Sequence, residues 1–171
     1  YVKGAAIAKK YPQIPVIINH LGTPTLKDLE ENDGAVFWKG MEALAAAGPH
    51  VYLKISMLCY TDKDWNEKPV IAAAVARLIK LFGSGRCFFA SNYPVDMLPD
   101  QGAWTRANSL LCLDCSHTLR VDLGRWLNCV RVCDAADKLY PAFLKLAQDA
   151  GCDEATIRRM FCQNVRVAYR A

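Results

Sequence analysis

Apolar residues follow two alternating patterns along the first part of the chain. Three short apolar stretches have the length of strands, and the segments between them repeat their apolar positions every three or four residues, as helices do. The strand-like stretches are IPVIINH (14–20), VYLKISML (51–58) and RCFFAS (86–91). The helical segments are residues 2–11, 34–49 and 69–83. Apolar strands separated by helices indicate βαβ units, so we predict an α/β fold with a parallel sheet.

Particular residues define the ends and the buried faces of these helices. Pro12 stops the first helix, and Gly83 ends the third. The positions predicted to be buried are Val36, Phe37, Met41 and Leu44 in the second helix and Ile71, Ala74, Val75, Leu78 and Phe82 in the third. This spacing places each set on one face of its helix, and we expect both faces to cover the sheet.

The alternation fails after Asp96. Residues at about 103–134 have neither helical nor strand period, and they are rich in cysteine. A helical pattern resumes in ADKLYPAFLKLAQDAG, where Leu139, Phe143 and Leu146 align, and Asp153 is placed to cap a further helix. The length of 171 residues suits one domain. We therefore predict a single domain, 1–171, with an irregular insert at about 103–134.

Composition removes several classes of protein. Hydrophobic residues make up 53% and charged residues 22% of the chain, which is typical of a globular protein. The net charge of +4 is spread along the chain without a basic stripe, so we expect no nucleic-acid partner. No apolar run approaches the ~20 residues of a membrane span, so we expect no membrane partner. The sequence starts at Tyr1 inside a helical pattern, and we expect it to be part of a longer protein.

Polar groups follow each predicted strand where that strand ends. The first strand ends at His20, the second carries Lys54 and Ser56 on one side, and the third leads into Asn92 and Asp96. Ligands of parallel α/β proteins bind at the carboxyl ends of the strands, so these residues predict a site. A lysine between apolar residues is the most informative of them, because a buried lysine is rare unless it is paired.

Each of these residues also has a purely structural interpretation. His20 could be a satisfied core or capping histidine. Lys54 could lie on an edge strand with its ammonium directed to water. Asn92 and Asp96 could be turn residues on either side of Pro94. The three strand ends taken together favour the functional interpretation.

Four segments resemble the second half of the amidohydrolase-related family, the TIM-barrel metallo-dependent hydrolases, in particular its lactonase-like branch. They are VIINHLGTP, VYLKISML, RCFFASNYPVD and FCQNVRVAYR. The resemblance covers nearly the whole chain except the insert. It implies the C-terminal part of a (β/α)8 TIM barrel, with about three βα units plus closing helices. A complete barrel runs to ~250 residues, so 171 residues with an insert are too few for one.

The resemblance also implies a chemistry and roles for the site residues. It implies a hydrolase that acts on a lactone or another carboxylic ester or amide through activated water. His20 would be a catalytic residue and a metal ligand or substrate contact, and Lys54, Ser56 and Tyr93 would bind substrate. The implied cofactor is a divalent metal such as zinc, although some relatives work without metal. The expected partner is a small-molecule substrate; a homo-oligomer and a cytoplasmic location are further expectations.

Asn92 departs from the family pattern. Many relatives have aspartate at this position, and that carboxylate is the expected water-activating base. An amide cannot take up a proton, so either Asp96 has the acidic role, or water is used differently, or catalysis is weak. Asn92 can still orient a water or bind substrate, and with Asp96 it completes the predicted catalytic set. The alternatives are a decarboxylase or hydratase on the same barrel, and an inactive fragment without the His-x-His of the first barrel strand.

The eight cysteines allow several interpretations. Cys59, Cys87 and Cys162 lie in apolar runs and are expected to be small core residues. The remaining candidates fall mainly in the insert, where Cys112, Cys115, Cys129 and Cys133 have a spacing close to that of a zinc knuckle. Disulfides and a translated intron are the other interpretations of this segment.

Overall fold

The structure is a computed structural model that describes residues 1–91 and 134–170. The strands are β1 (Val16–Ile18), β2 (Val51–Ile55) and β3 (Cys87–Phe89). The helices are α1 (Val2–Lys10), α2 (Leu26–Glu30), α3 (Ala35–Ala45), α4 (Pro69–Phe82), α5 (Asp134–Asp149), α6 (Glu154–Arg158) and α7 (Asn164–Tyr169). A π-helical turn, Arg159–Gln163, joins α6 to α7. The predicted insert lies outside the described residues except for Asp134, which begins α5.

The three described strands form one parallel sheet in the order β1–β2–β3, which confirms the predicted βαβ architecture. Ile18 is paired with Leu53, and Leu53 with Cys87. Because β2 lies between the other two strands, the interpretation of Lys54 as an edge-strand lysine is wrong. The strands are also shorter than their apolar runs, so the polar groups that follow them lie beyond the sheet.

The two faces of this sheet have different surroundings. Leu53 and Ile55 point to one face and have no exposed surface, and their neighbour Phe89 stacks on Phe161 with ring centroids 4.8 Å apart. Tyr52 and Lys54 alternate with them on the other face and are only half-buried. Burial of aliphatic side chains stabilises a fold by about 1.5–3 kcal/mol each. The helix-covered face therefore supplies much of the stability, and the opposite face carries Lys54.

Helix α4 has the buried face that the sequence predicts. All five predicted residues are at most 4% exposed and belong to the hydrophobic core. In α3 the prediction is right for Phe37, Met41 and Leu44 and wrong for Val36, which is 85% exposed. Val36 precedes Phe37 by about 100° around the helix axis, and this rotation takes it beyond the edge of the buried face.

The remaining helices also follow their sequence signals. Helix α1 ends at Lys10, before Pro12. In α5, Phe143 is fully buried and Leu146 nearly so, and the Phe143 ring lies 5.0 Å from that of Phe89. The Asp153 carboxylate accepts a hydrogen bond of 2.8 Å from the Thr156 amide, which confirms the predicted cap of α6.

Two side chains donate hydrogen bonds to carbonyls around the amino end of β3. The Arg86 guanidinium donates hydrogen bonds to the carbonyl oxygens of Phe82 (2.6 Å), Gly48 (2.8 Å) and Ala45 (3.1 Å). The buried Asn164 amide donates to the carbonyls of Ser84 and Cys87, each at 2.7 Å. These donors add hydrogen bonds to carbonyls at the helix ends and at the start of the strand.

The prediction that three cysteines are core residues is fully confirmed only for Cys87. Cys87 has no exposed surface, whereas Cys59 and Cys162 are half-buried. Cys87, Cys152 and Cys162 are free thiols. The four cysteines of the candidate zinc knuckle lie outside the described residues. Within the described ranges, no helix has the length and apolar character needed to cross a membrane.

Candidate active site

The first two strand ends bring their polar residues into contact. His20, in the turn Asn19–Gly22 after β1, and Ser56, directly after β2, are 36 positions apart in sequence, and the distance from His20 Nδ1 to Ser56 Oγ is 2.8 Å. Ser56 has no exposed surface, and the imidazole is half-buried. A buried hydroxyl bonded to an imidazole restricts the orientation of the ring, so this contact gives the site a fixed histidine.

Ser56 also determines which nitrogen of His20 can act. A hydroxyl both donates and accepts, so the contact suits either tautomer of the ring. When Nδ1–H donates to Ser56 Oγ, Nε2 presents a lone pair that can bind a metal or accept a proton. When the Ser56 hydroxyl donates to Nδ1, Nε2 carries hydrogen and can donate to a substrate oxygen. The pair thus supports either a ligand or a donor role for Nε2.

The backbone that carries His20 has an unusual conformation. Four successive residues have positive φ: His20 (55°), Leu21 (54°), Gly22 (78°) and Thr23 (56°). The left-handed region costs about 1–2 kcal/mol for each residue other than glycine, so the three non-glycine residues need compensating contacts. Leu21 provides one of them, because it is 2% exposed in the hydrophobic core. Strain of this kind is concentrated at functional sites in proteins.

The second strand shows the same feature immediately beyond Ser56. Met57 has φ 54° and ψ 38°, so the chain leaves β2 in the left-handed region as it does after β1. Both loops therefore depart from their strands by a sharp turn. The contact between His20 and Ser56 lies where these two turns begin.

Lys54 lies on the sheet face opposite to Leu53 and Ile55. It is two residues before Ser56, about 7 Å along an extended chain. The side chain is half-buried, and among the described residues no carboxylate forms an ion pair with it. A partly desolvated ammonium is a suitable partner for a carboxylate or for a developing oxyanion.

The third strand end is described only as far as Ser91. The Ala90 amide donates to the Ile55 carbonyl at 3.1 Å and so continues the sheet to this point. Asn92, Tyr93 and Asp96 lie outside the described residues, and their predicted roles stay predictions. The structure thus joins His20 to Ser56 and places Lys54 on β2, the strand that Ser56 follows.

The described residues do not by themselves make a metal site. A metal at His20 would bind through Nε2, since Nδ1 is engaged with Ser56. Within residues 1–91 and 134–170 there is no group of three or more His, Cys, Asp or Glu side chains that could hold an ion. Structural and catalytic zinc sites need three or four protein ligands. A metal bound at His20 would therefore require ligands beyond the described part of the chain.

A cavity of about 420 Å³ lies between Tyr1 and helices α2 and α3. Its lining includes the carboxylates of Asp28 and Glu31. These negative charges would repel a carboxylated molecule. The cavity therefore does not suit the substrate class that Lys54 favours.

Sequence reasoning missed Tyr1 and the turn 20–23. The Tyr1 hydroxyl donates to the Gly22 carbonyl oxygen at 2.9 Å, and Thr23 N donates to the His20 carbonyl oxygen at 2.7 Å. Gly22 was a local signal for a positive φ, but glycine does not indicate that its neighbours share that conformation. The contact with Tyr1 has no signal in the sequence.

Comparison with known proteins agrees with this architecture. The family model described as "Amidohydrolase" matches residues 3–123. The uncharacterised protein y4mH of Sinorhizobium fredii is 35% identical over 96 residues, which are 54% of this chain and 29% of that protein. The crystal structure of an amidohydrolase from Burkholderia multivorans with bound HEPES matches with a TM-score of 0.63 at 16% identity.

The coverage of these matches defines how much of a relative the chain represents. The structural match includes 97% of this chain but only 48% of the Burkholderia protein. The chain therefore spans about half the length of the solved amidohydrolase and under a third of y4mH. Its parallel sheet corresponds to part of an amidohydrolase TIM barrel, as the sequence predicts. The family model covers more than half of the chain, and the chain belongs to the amidohydrolase family.

Proposed function

We propose that the complete protein hydrolyses a lactone, or another carboxylic ester or amide, of a small molecule that carries a carboxylate. The observation that carries this proposal is the 2.8 Å contact between His20 and Ser56, with Lys54 on the same strand as Ser56. Membership of the amidohydrolase family supports a hydrolase-type function and a general dependence on metal. The substrate class is argued from the chemistry of Lys54.

The proposed roles follow from the chemistry of each group. Lys54 binds the substrate carboxylate or the developing oxyanion, and Ser56 orients the His20 ring. His20 Nε2 contacts the carbonyl oxygen or helps to hold a divalent metal, which when bound would polarise that carbonyl. From the sequence, Asp96 is the candidate base, and Asn92 and Tyr93 are candidates for orienting water and substrate.

The reaction needs no reagent other than water. The water oxygen bonds to the carbonyl carbon as its proton passes to the base. The bond from the acyl carbon to the leaving oxygen or nitrogen then breaks, and the leaving atom takes a proton. An amide at position 92 cannot accept the proton, so we assign that step to a carboxylate.

The proposal is tested by measuring hydrolysis with the full-length protein. Lactones with and without a carboxylate are compared by acid release, with and without added zinc. We expect the carboxylated lactones to be preferred. Lys54→Met should raise their KM about tenfold or more, because a charge-assisted bond is worth about 1.5–3 kcal/mol, and it should spare the neutral lactones. Lys80→Met, on the exposed side of α4, is the matched control.

Each other outcome contradicts a stated part of the proposal. Equal effects of Lys54→Met on both lactone types would remove the carboxylate from the proposed substrate. Release of CO2 from a carboxylated substrate without ester hydrolysis would replace the hydrolase by the decarboxylase alternative. Absence of turnover for every lactone, ester and amide at all metal concentrations would reject hydrolysis and favour the inactive protein.

A further inference from the structure

The left-handed turn that carries His20 is held by a contact from outside the turn. Within it, the Thr23 amide donates to the His20 carbonyl at 2.7 Å, and the Thr23 hydroxyl donates to the Gly22 carbonyl at 2.8 Å. The Gly22 carbonyl also accepts from the Tyr1 hydroxyl at 2.9 Å. Tyr1 thus bonds to a residue only two positions after His20, although it lies 21 positions away from Gly22 in the chain.

Tyr1 fits between two glycines that belong to different parts of the fold. A Cβ atom on Gly22 would lie 2.6 Å from Tyr1 Cε1, and one on Gly40 in α3 would lie 2.4 Å from Tyr1 Cβ. The edge of the ring meets Phe37, with centroids 5.8 Å apart, and Phe37 is 2% exposed. The side chain therefore connects the site turn to the buried face of α3.

The Tyr1 hydroxyl is suited to remain a donor. Partial burial, and then the Asp28 carboxylate, raise the pKa of the phenol above its ordinary value. Since that ordinary value is already about 10, the group keeps its proton through neutral pH. The hydroxyl can therefore donate its hydrogen bond to the Gly22 carbonyl throughout the neutral pH range.

We propose that Tyr1 is a positioning residue for His20, acting through the carbonyl of Gly22. This rests on the proposed function only in treating His20 as a site residue. Residues other than glycine avoid the left-handed region, so the turn tends to relax when an external contact is removed. Relaxation changes φ and ψ of His20 and turns its side chain away from Ser56. Tyr1 opposes this change from the side of α3.

The test is Tyr1→Phe, which removes the hydroxyl and keeps the ring against Phe37. Tyr11→Phe is the matched control, because Tyr11 at the end of α1 is about as exposed as Tyr1 (40% against 43%) and is not a hydrogen-bond partner of the turn 20–23. Loss of a hydrogen bond worth about 1 kcal/mol should speed hydrogen exchange of the Thr23 amide by roughly fivefold to tenfold. In ¹⁵N-histidine spectra, the His20 ring signals should shift or broaden, and those of His50 should not.

His50 is an internal reference for overall folding. Its Nε2 contacts the Ala8 carbonyl at 3.0 Å, at the end of α1, away from the site turn. A second pair of variants tests the close contact between Tyr1 and Gly22. Gly22→Ala strains a backbone at φ 78° and also forces the Tyr1 ring aside, whereas Gly151→Ala strains a backbone at φ 80° and meets no atom within 4 Å. We expect Gly22→Ala to reproduce the His20 change and Gly151→Ala to leave the His20 signals unaltered.

These measurements need no substrate, so they stand apart from the lactone assays. Unchanged Thr23 exchange and unchanged His20 signals in Tyr1→Phe would overturn the positioning role. Equal changes at His20 and His50 would also overturn it, because they would indicate general loosening. If the lactone assays succeed, Tyr1→Phe should lower kcat several-fold with KM for the carboxylated substrate nearly unchanged, since Lys54 is untouched. A rise in KM alone would contradict the role.

Discussion

Replacing Ser56 by alanine tests whether the hydrogen bond between Ser56 and His20 stabilises the fold. The substitution removes the buried hydroxyl that lies 2.8 Å from His20 Nδ1 and leaves the rest of the side chain in place. A neutral hydrogen bond contributes about 0.5–1.5 kcal/mol, and an unsatisfied buried group costs about 1–3 kcal/mol. The His20 ring is half-buried, so water can partly replace the hydroxyl. We therefore expect a loss of about 1 kcal/mol, from the lower part of these ranges.

The loss is measured by urea unfolding and by thermal melting. For a chain of this size, about 1 kcal/mol lowers Tm by roughly 2–4 °C. Ser84→Ala, just before β3 at the opposite end of the sheet, is the control and should change Tm by less than about 1 °C. A double-mutant cycle with His20→Ala isolates the pair, and we expect a coupling free energy of about 1 kcal/mol.

Two results would refute the reasoning about this pair. A coupling below about 0.3 kcal/mol would mean that His20 and Ser56 act independently, within the error of additivity for separate sites. If the His20 ring signals in ¹⁵N spectra were unchanged in Ser56→Ala, the hydroxyl would not orient the imidazole. In either case the fixed histidine would no longer support the proposed function.

Three further predictions concern other parts of the fold. Arg86→Met should lower the free energy of unfolding by about 3 kcal/mol, because the hydrogen bonds from this charged donor to backbone carbonyls are lost, and Arg86→Lys should recover less than half of that loss. A loss below about 1 kcal/mol, measured by urea unfolding, would contradict this. Burial raises the pKa of the Cys87 thiol to about 12, so iodoacetamide at pH 8 should label Cys87 only in denaturant and Cys162 in the native protein, as mass spectrometry of the peptides can check. The hydrogen bonds from the Thr156 side chain and backbone lower the pKa of Asp153, so its contribution to stability is present above pH ~4 and is lost as pH falls through the folded-state pKa. The difference in urea midpoint between the unsubstituted protein and Asp153→Asn should therefore become smaller in acid. If the two midpoints instead kept a constant difference at every pH, the role of the Asp153 charge would be contradicted.

Local sequence patterns predicted helix faces and helix ends correctly where residues close in the chain determine them. The apolar face of α4, the stop before Pro12 and the cap at Asp153 depend on neighbours within a few positions in the chain. Val36 shows the limit of this reasoning, because periodicity predicts which residues share a face but not where the buried face ends. That boundary depends on the width of the surface against which the helix packs.

The sequence predicted which polar residues lie at the strand ends but not the contacts between them. The carboxyl ends of parallel strands meet at one edge of the sheet, and this rule grouped His20 with Ser56, which are in contact. The functional roles predicted for these residues and for Lys54 stay predictions. The rule could not predict that the imidazole contacts the hydroxyl, because that requires the left-handed turns at residues 20–23 and at Met57. Intrinsic backbone preferences oppose both turns, so only contacts formed in the folded chain can stabilise them.

The sequence by itself determined the family, the parallel βα order and which polar residues follow the strands. These depend on the period of apolar positions and on motifs that are continuous in the chain. The tertiary structure alone decided that β2 lies between the other strands, that His20 faces Ser56, and that Tyr1 reaches the Gly22 carbonyl. Such contacts join residues 21 to 36 positions apart, and their energy exists only after the sheet register and helix packing have brought them together.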